Sequence, residues 1–462
     1  MKLSRRVFTT SAGVGLVLSV ATAAQQPAAP AQPVAGKLAA IGPARPNRGN
    51  LVRKPASAMP KAPDGFTVEL YADIEAPRMM VYAPNGDLFV TSSTINTITV
   101  LRDTNQDGVF ETRGSYVGEA PRAGNGGGNA AGQAPNIPSA QTPVNPLVNG
   151  PLLGASAPAC AAPPAGFNTK GAAGNLTQPF GMAFQGGYLY VGYTGSLVRY
   201  KYTPGDLKPQ GPPEKLIDFP TGGHWTRNVV FNRAGTKMYV AVGSQSNNAA
   251  GEDCRRAAIL EFNPDGSGYR VYASGIRNPV GLALQPGTDT IWTAVNERDN
   301  LGDDLVPDYA TSVRDGGFYG WPYSFIGQNY DPRYVGSFPE LVKRAIVPDV
   351  LIPSHSAALG ITFYTGTAFP QRFRNGGFVA LHGSWNRSIA SGYKVAFFPM
   401  NNGKPGPLED FVTGFVTNDG TGGRAIERWG RPVGVTQMPN GSLLISDDGG
   451  NRIWKVSTTA NR

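Results

Sequence analysis

Gln178-Pro179-Phe180-Gly181-Met182-Ala183-Phe184, then Gly186-Gly187, then Leu189-Tyr190-Val191, reads as a short apolar strand, a glycine turn and a second apolar strand. The same signature recurs five more times. Upstream it is Pro77-Arg78-Met79-Met80-Val81-Tyr82, Asn85-Gly86 and Leu88-Phe89-Val90. Downstream come Arg227-Asn228-Val229-Val230-Phe231 with Met238–Val242, and Arg277-Asn278-Pro279-Val280-Gly281-Leu282 with Ile291–Val295. Then follow Leu359-Gly360-Ile361-Thr362-Phe363 with Phe378–Leu381, and Arg431-Pro432-Val433-Gly434-Val435 with Leu443–Ser446. Six copies of one hairpin, each with room for further strands behind it, predict an all-β chain: a six-bladed β-propeller of four-stranded antiparallel blades. A β-sandwich, the rival architecture, does not naturally repeat one hairpin six times.

Composition agrees. Among 462 residues there are 60 glycines and 40 prolines, a turn-rich chain with few long helices. The net charge of +9 is local: eight of the 41 lysines and arginines, and none of the 32 acidic residues, lie in residues 1–60. The remainder is nearly neutral, so a basic face for nucleic acid is not indicated. Ser4-Arg5-Arg6-Val7-Phe8, an apolar run from Ala12 to Ala23 and the small residues Ala21-Thr22-Ala23 read as a twin-arginine-type signal over residues 1–24. The run is shorter than the roughly 20 apolar residues a membrane span needs, so the chain is expected to be periplasmic or secreted and not membrane-spanning. Residues 25–60, rich in Ala, Pro and Gln, are expected to be a flexible linker, and 116–174 a low-complexity insertion in a propeller spanning 61–462. Two cysteines, Cys160 and Cys254, leave a disulfide open, and no CxxCH haem motif is present.

The repeat has a phase, and the phase sorts the chemistry. Residues just before a first strand, or just after a second strand, fall on one face of the disc. All three histidines do so: His224, His355 and His382. So do Arg277, Arg431, Glu297, Asp299, Asp447 and Asp448. A neutral histidine at the mouth of such a channel is a candidate general base, and Arg277 could polarise a carbonyl or hold an oxyanion. The run Asn296-Glu297-Arg298-Asp299-Asn300-Leu301-Gly302-Asp303-Asp304 offers oxygen ligands to a hard cation. Asp103-Thr104-Asn105-Gln106-Asp107-Gly108, with Glu111, resembles the first half of a calcium loop but lacks an acid at the twelfth position. It reads equally well as a turn.

These motifs resemble the sorbosone dehydrogenase branch of the sugar dehydrogenases that depend on pyrroloquinoline quinone (PQQ), relatives of soluble glucose dehydrogenase and pyranose dehydrogenases. The resemblance rests on Ser274–Pro279, Val295–Tyr309, Gly316–Tyr323, His382-Gly383-Ser384-Trp385-Asn386-Arg387 and Gly430–Val435. It implies a quinone lying over the channel mouth, held by arginines and calcium. His224 would be the general base, Arg277 would polarise the quinone oxygens and Asn278 would help hold the cofactor. Calcium would take backbone carbonyls of Asp299 and Asn300, while Arg387 and Arg431 would bind quinone carboxylates. Electrons would leave to an external acceptor, a cytochrome or a quinone. Two departures stand out: Gly223 precedes the histidine where the glucose enzyme has Asp, and Asp299-Asn300 replaces a Gly-Pro pair. A calcium-dependent propeller hydrolase such as a lactonase, or a non-catalytic glycan-binding propeller, are the competing readings of the residues.

Overall fold

The computed structural model describes residues 33–118, 171–172 and 176–459. The expected signal, most of the 116–174 insertion and Cys160 lie outside them. Cys254 is disulfide-bonded. Among the described residues the chain is all-β. Its only α-helix is the four-residue Pro339–Val342, and no helix is long and apolar enough to cross a membrane.

Each repeated hairpin opens a sheet whose first four strands run in chain order or are completed by a chain end. The first sheet is Met80–Tyr82, Leu88–Ser92, Thr97–Arg102 and Thr112–Val117. The second contains Met182–Gln185, Tyr188–Tyr193, Ser196–Lys201 and Glu214–Asp218, edged by Gly171–Ala172. The third is Arg227–Phe231, Met238–Val242, Ala258–Phe262 and Arg270–Ser274, with Gly317–Phe318 added in parallel. In the fourth, Pro279–Leu284, Ile291–Val295 and Asp308–Ser312 are followed, 38 positions on, by Val350–Ile352. The fifth is Ala358–Phe363, Gly377–Leu381, Lys394–Phe398 and Glu409–Val412. The sixth takes Pro432–Gln437, Leu443–Asp447 and Arg452–Thr458 from the C-terminal end, and its fourth strand is the N-terminal Phe66–Asp73, antiparallel to Arg452–Thr458.

The second strand of a sheet shows how period-2 alternation builds this core. Met238–Val242 is buried along its whole length. Met238, Val240 and Val242 point into an apolar cluster shared with Tyr190, Leu197 and Leu216 of the second sheet. Tyr239 and Ala241, on the opposite face, join a cluster with Leu282, Ile291 and Tyr309 of the fourth. Successive side chains on a strand face opposite ways, so one strand serves two inter-sheet cores. Each buried aliphatic side chain contributes about 1.5–3 kcal/mol.

Where the first strands meet, the repeat carries glycine. A Cβ on Gly181 would lie 2.4 Å from Asn228 Cα; on Gly281, 2.2 Å from Leu359 O; on Gly360, 2.6 Å from Val433 O; on Gly434, 2.6 Å from Arg78 O. Each glycine thus lets one first strand approach the backbone of the next sheet. The first strands contact one another in chain order, and that of the sixth contacts that of the first. Met79, Phe180, Trp225, Val280, Leu359 and Val433, each in a first strand or within two residues before one, meet in a single apolar cluster.

The stretch expected to be a flexible linker is tied down from Gly42 on. Gly42 N donates to Leu301 O at 3.0 Å and Asn47 N to Trp385 O at 2.9 Å. Asn50–Leu51 pairs in parallel with Glu427–Arg428. The Asn47 side chain donates to Ser388 O (3.1 Å) and Arg424 O (2.9 Å), and accepts from Ile426 N (3.3 Å). Composition reads this stretch as a flexible linker. It takes its order from backbone and amide hydrogen bonds, with Val52 and Ala58 packed against the apolar core.

Candidate active site

The face picked out by the repeat phase is where first strands begin and second strands end. His224 stands on the loop before Arg227–Phe231, and two buried arginines hold that loop by its carbonyls. Arg256 donates to Pro220 O (2.9 Å), Thr221 O (2.6 Å), Gly222 O (2.8 Å) and Gly243 O (3.2 Å). Arg227 donates to Pro220 O, His224 O and Thr226 O. Gly223 has φ +63°, and a Cβ there would sit 2.3 Å from Gln245 Cα. No side chain fits at that position, which accounts for the missing aspartate. The ring is oriented from the other side: His224 Nδ1 lies 2.8 Å from Ser244 O and 3.1 Å from Ser244 Oγ. A carbonyl only accepts, so Nδ1 carries the hydrogen and Nε2 keeps its lone pair. Nε2 has no partner among the described residues. Burial first, then the Arg277 charge, pull the imidazole down to about 3.

Arg277 and Asn278 follow on the next loop. Arg277 is 5% exposed and spends its N–H groups on the protein. Nε donates to Asn247 O (2.9 Å), Nη1 to Glu297 O (2.7 Å) and Asn296 O (3.2 Å), and Nη2 to Asn247 Oδ1 (3.0 Å). Its expected contact with quinone oxygens is therefore not prepared here; it acts as a buried charge and a brace. Asn278 Oδ1, in contrast, is buried with no partner, an acceptor in want of a donor.

Asp299 links three groups. Its carboxylate is 3.3 Å from His355 Nδ1 and 3.6 Å from Arg277 Nη2, and accepts from Asn386 Nδ2 at 3.4 Å. Its carbonyl, expected to face a cation, instead accepts from Arg298 Nε (3.0 Å), Arg298 Nη2 (2.9 Å) and Asn247 Nδ2 (3.2 Å). The oxygens left for a metal are the Asp299 carboxylate and the carbonyl of Asn300, an exposed residue. Both ring nitrogens of His355 face acceptors, Asp299 and Gly302 O (2.9 Å). Burial would lower that imidazole, but the Asp299 carboxylate outweighs it and the net shift is upward. Glu297 is buried behind the loop and pushed up to about 7 by that burial.

The other half of the mouth centres on His382. Its Nε2 is 2.8 Å from Asp448 Oδ1, and the other oxygen of Asp448 pairs with Arg78. Arg431 Nε donates to His382 O at 3.2 Å, and its guanidinium has no carboxylate partner among the described residues. Arg387 donates to Asp303 O and pairs with Asp304 at 2.8 Å, while its Nε is buried without a partner. Arg78 joins the two halves: its guanidinium lies 5.3 Å from the centroid of Trp225, the neighbour of His224. The sequence passes over Arg78, although it precedes a first strand in the same phase as Arg277 and Arg431. It also passes over Ser244, Asn247, Arg227 and Arg256, which no local motif marks.

Asp103, Asp107 and Glu111 do bring carboxylate oxygens within 4.8 Å of one another. Their oxygens accept from loop amides, among them Gly108 N (2.7 Å), Val109 N (2.8 Å) and Thr104 N (2.7 Å). These bonds are those of a turn, while Asp103 Oδ1 is buried without a partner.

A pH prediction follows from the depressed imidazoles. His224 and His382 both fall from 6.5 to about 3, in each case by burial first. Between those values the unfolded chain binds protons that the folded chain refuses. These two groups therefore remove stability as pH falls from 6.5 toward 3, and neither ring takes up a proton in the folded protein near pH 6. An imidazole ¹⁵N titration with a midpoint near 6.5 for either residue would contradict this.

Two known families match parts of this chain. The Glucose / Sorbosone dehydrogenase family matches residues 215–384, which hold His224, Arg277, Asn278, Asp299, Asn300, His355 and His382, and the TrAA12-like family matches 342–459, which hold Arg387, Arg431 and Asp448. An uncharacterized protein of Borreliella burgdorferi is 32% identical over 50% of this chain and 60% of its own length. Aldose sugar dehydrogenase YliI of Escherichia coli is 27% identical over 39% of this chain and 52% of its own length. The match thus spans little more than half of these curated relatives. The holo form of the pyranose dehydrogenase PQQ domain from Coprinopsis cinerea superposes with a TM-score of 0.64 at 18% identity, covering 87% of this chain and 97% of that one; at that identity the likeness is one of fold. The resemblance carried by the motifs and the family match coincide: across residues 215–384 this chain bears the sequence pattern of the glucose/sorbosone dehydrogenase family, and it is similar to the PQQ-dependent sugar dehydrogenases.

Proposed function

We propose that this chain oxidises a sugar or sugar aldehyde of the sorbosone, aldose or pyranose class, using PQQ and calcium and passing electrons to an external cytochrome or quinone. The observation that carries the reading is the state of His224: a neutral ring with Nδ1–H fixed on Ser244 O and a bare Nε2 at the mouth. Such a nitrogen can take the proton of a substrate hydroxyl or hydrate. PQQ, when bound, supplies an electrophilic quinone carbon that accepts hydride. Arg431, with no carboxylate of its own, and Arg387, with a buried unpaired Nε, suit the carboxylates of that cofactor. Asn278 Oδ1 offers an acceptor beside them. The Asp299 carboxylate and the Asn300 carbonyl would hold calcium. Two mouth arginines with donors to spare, Arg387 and Arg431, suit an anionic cofactor and are not required by a hydrolase, which favours the dehydrogenase.

The same proposal takes the six sheets as blades of one closed six-bladed propeller, supported by the ring of first-strand contacts and by the pairing of Phe66–Asp73 with Arg452–Thr458. It places the mature chain in the periplasm or outside the cell, on the strength of the twin-arginine-type N-terminus.

The test is dye reduction by purified protein with PQQ and calcium, against aldoses, pyranoses and sorbosone. Turnover that needs both additions supports the reading; no binding of PQQ and no turnover ends it. In Arg431→Gln the apparent PQQ affinity is expected to fall at least about tenfold, because a charge-assisted contact to a carboxylate is lost. An unchanged affinity, measured by PQQ titration, removes Arg431 from the cofactor site.

A further inference from the structure

The proposed chemistry leaves two mouth histidines unused; His355 has both ring nitrogens engaged, whereas His382 does not, and its surroundings are built. Asp448 is held well below the usual carboxylate range: burial would raise it, but the combined pull of His382, Arg78 and Arg431 prevails. An ionised carboxylate only accepts, so the hydrogen between Asp448 Oδ1 and His382 Nε2 belongs to the histidine. The tautomer is therefore opposite to that of His224. Nδ1 of His382 is bare, has no partner among the described residues, and the side chain keeps 13% of its surface open. The fixed charges around it are Asp448, Arg78 and Arg431, and none gives Nδ1 a hydrogen.

We propose that His382 Nδ1 is a substrate-binding acceptor: it takes a hydrogen bond from a hydroxyl of a polyhydroxylated substrate, separate from the hydroxyl served by His224. This deepens the sugar dehydrogenase reading and rests on it. The chemistry of the two possible occupants decides between them. Quinone oxygens and cofactor carboxylates are acceptors, and a bare ring nitrogen repels them; the cofactor's one donor is its pyrrole N–H. A sugar presents several O–H donors on neighbouring carbons. Two bare nitrogens, His224 Nε2 and His382 Nδ1, lie on one face, linked through Trp225, Arg78 and Asp448. A substrate with two donors can satisfy both, whereas a simple aldehyde satisfies neither fully. His382 is then a specificity-determining contact, with Asp448 and Arg78 as the groups that fix its tautomer.

The chain has three histidines, so protein labelled with [¹⁵N]histidine gives three readable rings. The full chain, loaded with PQQ and calcium, is titrated with the aldose that turns over best. The expected result is a bare Nδ1 signal for His382 before addition and a shift of that signal toward the hydrogen-bonded range on saturation. In His382→Phe, KM for the sugar rises about tenfold, the scale of one lost hydrogen bond to a substrate hydroxyl, while kcat changes less. His382→Asn, which returns an acceptor near the position of Nδ1, recovers most of the loss; a purely structural histidine would show no such rescue. An Nδ1-protonated ring, or an Nδ1 unmoved by sugar while His224 responds and turnover proceeds, overturns the inference alone. If no sugar moves either ring and none is oxidised, the dehydrogenase reading and the inference fall together.

Discussion

His224→Asn is expected to cut turnover by about 10²- to 10⁴-fold, the range general-base catalysis supplies, while leaving stability and PQQ affinity close to those of the unaltered chain. The choice of asparagine matters. Its amide N–H can replace the ring Nδ1–H as donor to Ser244 O, which now stands 2.8 Å away, so the loop keeps its anchor. What disappears is the basic nitrogen at the position of Nε2. The expected loss therefore sits in kcat and kcat/KM together, the pattern of an interaction needed in the transition state. Dye-reduction kinetics with parallel thermal melts decide it. Turnover within about threefold of the parent, with PQQ bound, would show that another group takes the proton and would shift attention to His382.

What the sequence discloses and what it hides divide along the range of the interaction. The strand–turn–strand units are local signals, and every one becomes the first hairpin of a sheet. The glycine in four of them is equally visible, but its reason is not: the atom that forbids a Cβ at Gly281 is Leu359 O, in the next sheet. The phase that brings His224, His355 and His382 to one face is legible, because it depends only on where each falls in its unit. Their protonation is not, because it is set by Ser244, 20 positions from His224, and by Asp448, 66 positions from His382. Arg277 shows the cost of this blindness. Its place at the mouth follows from the repeat, yet Asn247, 30 positions upstream, absorbs the N–H groups expected to meet a cofactor. Composition misleads for residues 42–52, where Asn47 ties loops more than 340 positions away.

Arg256→Leu is expected to lower unfolding free energy by about 1–3 kcal/mol and to depress turnover as well, although Arg256 lies behind the mouth. The side chain is 4% exposed and its guanidinium bridges four carbonyls, three of them on the Pro220–Gly222 segment that leads into His224. Leucine fills much of the volume but leaves Gly243 O, the buried one of the four, without its donor, at a cost of about 1–3 kcal/mol, while water can reach the carbonyls of Thr221 and Gly222. Arg227 keeps a hold on Pro220 O and His224 O, so the loop loosens rather than detaches. Ser244 O still accepts from Nδ1, and the tautomer survives while the position of Nε2 spreads. A loss in kcat larger than any change in PQQ affinity is the signature of that spread, since proton transfer is sensitive to displacements that binding tolerates. Arg256→Lys should fall between the two, because one ammonium cannot span four carbonyls that a planar fork reaches. Denaturant unfolding and kinetics on the same preparations test both halves. Unchanged stability and unchanged turnover in Arg256→Leu would mean that Gly222, Gly223 and Arg227 hold the histidine without the clamp.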